Sequence, residues 1–411
     1  MGVLDFEKMR SVKAAKIKPG QTVLLRTDFD VPLKENKIVD EFRLKAALPT
    51  IKFLFKKKVK IILISHLGRP RGKVEKTLRL NPIAHWLERN LKTKVIKLET
   101  AVGPIVNQTV KKLLPGQIIL LENLRFYPEE EKNDLNFAKK LTSLSEFFVN
   151  EAFAVCHREH ASIVGTPKFL PSFAGLRLEK EVKGLKKALK AKKDLLVILG
   201  GAKTETKIPV IESLAKLGSV ILLGGVVGNT FLAAFLGRER MGGEIIQGKD
   251  AKLAEKFLRD LDKPVSFAQI PGKTTKIWLP LDLWVADEKT EPVPTTLVDP
   301  YNESIPKDYQ VYGLGPKTLK EYAGLISQAK ALIWNGPVSR PHPLKTPRST
   351  EELGRVIAKR KVFSIVGGGD TVATLAKESI LDKIDLVSTG GGAMLEFLNK
   401  GTLPGIEVLE P

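Results

Sequence analysis

Two kinds of residue cluster in this 411-residue sequence could do chemistry, and they occupy different halves. In the first half, arginine and histidine recur in short motifs: Arg26-Thr27-Asp28-Phe29-Asp30, Arg43, Ser65-His66-Leu67-Gly68-Arg69, Glu122-Asn123-Leu124-Arg125 and His157-Arg158-Glu159-His160. A guanidinium is a planar fork of donors matched to carboxylate and phosphate oxygens. Arginines gathered from several segments would make a socket for a small, multiply charged anion. The competing reading is that each arginine pairs with a local acid such as Asp28 or Glu159.

In the second half the motifs are glycine-rich: Gly200-Gly201-Ala202-Lys203, Gly224-Gly225, Gly313-Leu314-Gly315-Pro316-Lys317, Asn335-Gly336-Pro337, Gly367-Gly368-Gly369-Asp370-Thr371 and Gly390-Gly391-Gly392. The Gly367 motif follows an apolar run and precedes a helical pattern (Val372, Ala373, Leu375, Ala376). A glycine turn between strand and helix lets backbone N–H groups approach an anion, and the helix start adds partial positive charge. Asp370 is placed to hold a metal ion beside those phosphates. Tight turns use glycine in the same way. The Gly200–Lys207 segment lacks the spacing of a P-loop. Lys203 and Lys207 stand four apart at a strand-to-helix junction, so one helical turn would set both ammonium groups over one region.

The elements that must position these motifs alternate. Apolar strand patterns fall at residues 23–26, 59–65, 95–98, 118–122, 147–150, 195–199, 220–223, 331–334, 362–366 and 386–388. Amphipathic helical patterns fall at 43–56, 82–90, 135–144, 205–217, 251–261, 317–330, 351–360 and 371–379. Pro49 should kink or divide the first of these helices. A charged helical stretch at 177–193 reads as a connection between two domains. A short strand is expected within 276–285, and a loop over the proline- and charge-rich residues 287–306. Alternation of this kind argues for parallel sheets covered on both faces, with ligands at the carboxyl ends of the strands.

Composition narrows the class. Apolar residues at 43% and charged residues at 27% fit a soluble globular protein, and no apolar run is long enough to span a bilayer. The acidic residues near Met1 do not suit a signal peptide, so a cytoplasmic location is expected. Cys156 is the single cysteine, which excludes an intrachain disulfide and a cysteine-based metal cluster. The net charge of +21 speeds the arrival of anions. The lysines are dispersed along the chain and aromatics are 7%, so neither a nucleic acid nor a membrane is expected as a partner. No Ser-His-Asp constellation is evident. One half suits a small anion and the other a nucleotide, the pairing that phosphoryl transfer needs, and a cleft able to close would exclude water.

Together these motifs resemble phosphoglycerate kinase across nearly the whole chain. The matching segments, in order, are Arg26-Thr-Asp-Phe-Asp-Val-Pro32, Arg43-Leu-Lys-Ala-Ala-Leu-Pro-Thr50, Ser65-His-Leu-Gly-Arg-Pro70, Leu121-Glu-Asn-Leu-Arg-Phe126, Gly200-Gly-Ala-Lys203, Trp334-Asn-Gly-Pro337, Gly367-Gly-Gly-Asp-Thr371 and Ser388-Thr-Gly-Gly-Gly-Ala393. The resemblance implies an α/β fold of two doubly wound, Rossmann-like parallel-sheet domains joined by a helix, with a cleft between them. The boundaries read as 1–176, 177–193 for the helix, and 194–395, with a tail at 396–411 returning to the first domain.

The resemblance further implies a glycolytic kinase that moves a phosphoryl group between 1,3-bisphosphoglycerate and ADP, giving 3-phosphoglycerate and MgATP, as a cytoplasmic monomer. Asp28, Asp30, Arg43, His66, Arg69, Arg125 and Arg158 would line the phosphoglycerate site, with Arg43 also orienting the reacting carboxyl oxygen. Lys203 would stabilise the transferring group. Lys207 and Gly367, Gly368, Gly369, Asp370 and Thr371 would hold the nucleotide phosphates, with Asp370 serving Mg²⁺. The chain departs from the family in three places. Asp30 stands where the family usually has Asn. Val338-Ser339-Arg340-Pro341-His342 replaces a stretch ending in a ribose-binding glutamate, for which Glu351 or Glu352 is the substitute on offer. Gly313 stands where an aspartate is common.

Overall fold

The computed structural model describes residues 9–215, 217, 219–243, 248–258, 267–269, 276–287, 296–340 and 348–410. The chain divides into two units, Met1–Lys183 with Gly401–Pro411, and Gly184–Lys400.

In the first unit the strands are β1 (Thr22–Arg26), β2 (Leu33–Lys34), β3 (Lys37–Ile38), β4 (Lys60–Ile64), β5 (Val95–Lys97), β6 (Ile118–Leu120), β7 (Phe147–Asn150) and β8 (Ser172–Ala174). Its helices are α1 (Phe42–Lys56), α2 (Asn81–Leu91), α3 (Pro104–Lys111), α4 (Pro128–Glu131) and α5 (Leu135–Thr142), and α6 (Leu176–Lys190) carries the chain across the division. Six strands pair in parallel in the order β5-β6-β4-β1-β7-β8, while β2 and β3 form a small hairpin.

The apolar runs form strands because both faces are covered. Val23, Leu25, Ile61 and Leu63 pack into one core with Leu44, Ile51 and Leu54 of α1 and Ile83 and Leu87 of α2. The intervening Leu24 and Ile62 join a second core with Val106 and Val110 of α3 and Phe137 and Leu141 of α5. Each such side chain contributes about 1.5–3 kcal/mol when fully buried. Pro49 does not divide α1, which runs unbroken through it. Leu44, Ala47, Ile51 and Leu54 bury one continuous face on both sides of the proline, so packing outweighs the lost backbone hydrogen bond.

The start of α6 is tied to the sheet. Glu151 is 3% exposed, accepts from Thr50 Oγ1 (2.6 Å) and from Arg177 N (3.0 Å), and so caps the helix with a carboxyl group. The last residues pack within the first unit through α14 (Pro404–Glu407): Gly405 N donates to Cys156 O (2.8 Å), and Ile406 and Leu409 are buried. Cys156 is itself buried and its thiol is pushed up to about 12 by burial, so it is a packing residue rather than a nucleophile.

The second unit has a seven-stranded sheet made of β9 (Leu195–Leu199), β10 (Val220–Leu223), β11 (Phe267–Gln269), β12 (Lys276–Trp278), β16 (Ala331–Asn335), β17 (Phe363–Gly367) and β18 (Leu386–Val387). A separate antiparallel sheet holds β13 (Leu283–Asp287), β14 (Thr296–Val298) and β15 (Tyr309–Leu314). The large sheet runs β11-β12-β10-β9-β16-β17-β18 and is parallel except for β11. The helices are α7 (Ile208–Ala215), α8 (Gly225–Leu236), α9 (Gly248–Leu258), α10 (Pro316–Gln328), α11 (Ser349–Ala358), α12 (Gly369–Ala376) and α13 (Gly391–Lys400).

Two expectations change here. Strand β14 falls inside the loop expected at 287–306, where it pairs with β13; residues 288–295 lie outside the described residues. The strand expected within 276–285 is two strands, since Leu279 and Pro280 end β12 before β13 begins. The predicted helix end at 259–261 lies outside the described residues.

Candidate active site

In the first unit the order of strands reverses at β1, which has β4 on one side and β7 on the other. Such a reversal opens a crevice at the carboxyl ends of the strands. The arginine and histidine motifs leave the sheet there, directly after β1, β4, β6 and β7.

Five of the expected residues form one contact network. Arg43, from α1, reaches Asp28 Oδ2 (3.2 Å) and Asp30 Oδ2 (3.6 Å) and donates to Asp30 O (2.9 Å). Asp30 Oδ1 accepts from Gly68 N (2.8 Å), and Gly68 O accepts from Arg125 NH1 (2.8 Å). The extra carboxylate at position 30 therefore has a local role: it ties the loop after β4 to the loop after β1. His66 is 2% exposed and places Nε2 at 3.7 Å from Asp30 Oδ2. Arg158 is half-buried and adds its field to Arg125 and His160. Arg69 is exposed next to Gly68 and joins no ion pair among the described residues.

Beneath this network the structure buries Arg26, which the sequence grouped with the socket arginines, beside Glu130, which the sequence did not single out. Arg26 ends β1 with a fully buried side chain. Its Nε donates to Ser162 Oγ (2.8 Å), one NH group to Thr27 O, and NH2 to His66 Nδ1 (3.2 Å). Glu130, also fully buried, lies 3.9 Å from the guanidinium and accepts from Ser162 N (2.9 Å) and Oγ (2.5 Å). A guanidinium has no lone pair to accept with, so His66 Nδ1 is the acceptor and Nε2 carries the proton. Burial, then Arg26, holds His66 well below the usual imidazole range, and burial with the same arginines takes His160 down to about 3. Both imidazoles are neutral at pH 7. Strand periodicity points to that burial, because Arg26 shares its face with buried Leu24.

One donor of the network is left over. Arg125 Nε is buried without a hydrogen-bond partner, with Glu131 Oε1 at 3.4 Å. A cavity of about 700 Å³ is lined by Asp30, Arg43, Leu67, Gly68 and Thr77. It is large enough for a three-carbon acid phosphate; Arg43 is the cation of its lining, beside the carboxylates of Asp30 and Glu35.

In the second unit the strand order reverses between β9 and β16, and glycine loops follow β9, β10, β16, β17 and β18. They interlock closely. Gly201 N donates to Pro337 O (2.7 Å), and a β-carbon at Gly336 (φ +92) would stand 2.1 Å from Gly200 O. A β-carbon at Gly368 (φ +96) would stand 3.5 Å from Gly336 N, and one at Gly391 would stand 2.9 Å from Gly368 Cα. Side chains are excluded here so that backbones can meet. Gly369 opens α12, Asp370 is exposed in its first turn, and Thr371 Oγ1 is buried with no hydrogen-bond partner.

The two lysines are arranged differently from one turn of α-helix. Lys203 caps a 3-10 turn at Thr204–Thr206, and α7 begins only at Ile208. Lys203 is exposed, whereas Lys207 is 5% exposed, folds back to donate to Lys203 O (3.2 Å), and lies over Gly201. Burial, then the charge of Lys203, lowers the Lys207 ammonium to about 8. Among the described residues no cluster of His, Cys, Asp or Glu could hold a metal ion by itself. A lone exposed carboxylate suits Mg²⁺ that keeps its other positions for water and nucleotide phosphates.

The altered loop after Pro337 is held from below. Thr350 Oγ1 accepts from Val338 N (3.1 Å) and Ser339 N (3.1 Å). Glu351 and Glu352 lie in the first turn of α11, and residues 341–347 are outside the described residues. Glycine at 313 follows from this packing: a β-carbon there would stand 2.7 Å from Ser349 Oγ and 3.2 Å from Ser339 Cβ. Gly313→Asp, which restores the common family residue, is expected to cost roughly 1–3 kcal/mol by overpacking, read as a lower Tm. An unchanged Tm would show that Ser349 gives way.

Known proteins share this sequence pattern and fold. A sequence model of the family described as phosphoglycerate kinase matches residues 12–401. Phosphoglycerate kinase of Moorella thermoacetica is 41% identical over 388 residues, covering 94% of this chain and 95% of that protein. That of Borrelia garinii subsp. bavariensis is 41% identical over 407 residues, covering 98% and 99%. Among solved structures, phosphoglycerate kinase from Coxiella burnetii aligns with a TM-score of 0.82 at 34% identity, covering 97% of this chain and 98% of that one. The Pyrococcus horikoshii enzyme aligns with a TM-score of 0.83 at 30% identity, covering 98% of each chain. With its arginine-lined socket on one sheet and its interlocked glycine loops on the other, the chain belongs to the phosphoglycerate kinase family.

Proposed function

We infer that the chain catalyses reversible phosphoryl transfer between 1,3-bisphosphoglycerate and ADP, giving 3-phosphoglycerate and ATP, a step of glycolysis. The observation that carries this is family membership over nearly the whole chain at 41% identity. The single most direct test is a coupled assay with 3-phosphoglycerate and MgATP. Turnover dependent on both is expected, and its absence in a folded preparation would overturn the reading.

The socket on the first unit takes the phosphoglycerate. Arg125, Arg158 and Arg69 neutralise its phosphate, and neutral His66 donates Nε2–H. Arg43 exchanges its contacts with Asp28 and Asp30 for the reacting carboxyl oxygen. In the transfer a terminal oxygen of ADP attacks the acyl phosphate phosphorus, the P–O bond to the carboxyl group breaks, and the carboxylate leaves with the electron pair. No covalent bond to the protein forms. Lys203, exposed at the head of its turn, stabilises the charge on the transferring oxygens. Lys207 and the amides of Gly367 to Thr371 hold the nucleotide phosphates, and Asp370 would hold Mg²⁺. The chemistry it would supply there is neutralisation of phosphate charge.

Lys207 gives this assignment a pH signature. Its ammonium is mostly protonated at pH 7 and loses the proton as pH rises through about 8. The kcat/KM for ADP should therefore fall above about pH 8, approaching tenfold per unit. Lys207→Arg keeps its charge and should flatten that limb. A wild-type profile level from pH 7 to 9 would remove Lys207 from the phosphate site.

The loop Val338–Arg340, fixed by Thr350, supports a second, narrower reading in which the nucleoside contact differs from that of the family. Comparison of ADP, GDP and IDP as acceptors tests it: a strict preference for ADP would reject it.

A further inference from the structure

The six-stranded sheet of the first unit has a second charged rim, opposite the candidate site, where its parallel strands begin. The strands start side by side: Gly20 N donates to Lys58 O (2.9 Å), Gly116 N to Val59 O (3.0 Å), Glu146 N to Thr22 O (3.0 Å) and Phe148 N to Pro171 O (3.0 Å). Taken in sheet order, an exposed lysine precedes every strand: Lys94 before β5, Lys112 before β6, Lys58 before β4, Lys18 before β1, Lys140 before β7 and Lys168 before β8. The strand starts they precede lie side by side, about 4.8 Å apart, so lysines dispersed along the sequence share one rim of the sheet.

Complementing helix ends does not account for this row. A lysine at a helix C-terminus offsets the macrodipole, but Lys18, Lys58 and Lys94 lie outside any helix. None of the six joins an ion pair among the described residues. The carboxylates at these strand starts are already engaged by amides: Glu146 accepts from Thr22 N (3.0 Å) and Gln21 Nε2 (2.6 Å), and Glu88 from Val95 N (3.0 Å). Two large apolar side chains are exposed on the same rim, Leu114 at 62% before β6 and Phe169 at 40% before β8.

We propose that this rim docks on an anionic lipid surface, with the lysines over the headgroups and Leu114 and Phe169 at the acyl boundary. Lysine is a point charge suited to a diffuse layer of headgroups. Lysine outnumbers arginine before these strands, where Arg89 in the last turn of α2 is the exposed guanidinium ahead of β5, and exposed apolar residues flanked by lysine are the pattern of interfacial segments. The candidate site lies at the opposite ends of the same strands, so docking leaves it open.

The test is co-sedimentation of the full chain with vesicles of phosphatidylcholine alone and with about 30% phosphatidylserine, at roughly 0.1 M and 0.5 M salt. Binding only to the anionic vesicles, lost at the higher salt, is expected. Replacing Lys18, Lys58, Lys112 and Lys140 together with Gln should weaken binding by about 100- to 1,000-fold with kinase turnover retained. Leu114→Ser, a milder change that leaves the charge intact, should weaken it by about 3- to 10-fold. The control replaces Lys320, Lys359, Lys377 and Lys383 of the second unit with Gln and should bind like wild type. Equal loss in the control would reduce the effect to net charge and overturn the proposal. So would absence of binding to anionic vesicles, or binding of single-stranded RNA at physiological salt by a chain that ignores the vesicles.

Discussion

Lys203→Ala should lower kcat by about 10²- to 10³-fold while leaving the dissociation constant for ADP and the Tm close to wild type. The magnitude is that of removing one donor aimed at charge that develops during transfer. The selectivity follows from position. Lys203 is exposed and in no ion pair among the described residues, so the folded state gains little from it, whereas Lys207 is the buried ammonium over the glycine loops. Arg43→Ala should reduce kcat/KM for 3-phosphoglycerate by roughly a thousandfold, because it loses a charged contact to the reacting carboxyl group. Its stability cost should be modest. The Arg43 side chain is 31% exposed, and a pair so placed contributes about 0–1 kcal/mol. Burial holds the Asp28 carboxyl above its usual range and Arg43 opposes that shift, so the variant's deficit should grow as pH rises and Asp28 is forced to ionise. Wild-type turnover in both variants would reject both roles.

The sequence could offer these two residues as candidates because their surroundings are legible. Parallel strands covered on both faces read as unbroken apolar runs, and residues 147–150, 195–199 and 220–223 fold as β7, β9 and β10 with those bounds. Motifs set directly after such runs must emerge at one rim, which is why His66 and Arg125 could be grouped, whereas Arg43, inside α1, follows no such run. Helix α8 was not legible. Its sequence Gly-Val-Val-Gly-Asn-Thr-Phe-Leu-Ala-Ala-Phe-Leu has no polar face, and Val227 to Ala233 are all buried, so no 3.6-residue alternation exists to detect. Strand β14 hid within a proline- and charge-rich stretch because its pairing partner, β13, supplies the order that local composition denies. Glu130 hid for a different reason. In Pro128-Glu129-Glu130-Glu131 it reads as one of three acids on a solvated helix start, and only the fold turns it inward beneath Arg26.

That inward pair carries the second large effect. Arg26→Met should destabilise the protein by about 3–5 kcal/mol, because Glu130 is left charged in a fully buried position. For a unit of this size the Tm should fall by roughly 10 °C. The sign with pH is set by Glu130. Burial already raises its carboxyl above the usual range and Arg26 opposes that shift, so without Arg26 the folded state binds its proton more tightly still. Stability of the variant should therefore be greatest at low pH and fall as pH rises through the raised value, measured as Tm between pH 5 and 8. Adding Glu130→Gln separates structure from function. The double variant replaces the stranded carboxylate with a neutral amide and should regain most of the lost Tm and lose the pH slope. It should not regain turnover, because His66 Nδ1 no longer meets a donor that fixes the proton on Nε2, the nitrogen facing the socket. Recovery of both stability and kcat/KM in the double variant would reduce Arg26 to a packing residue. Recovery of stability alone would establish that a buried guanidinium sets the tautomer of the histidine above it.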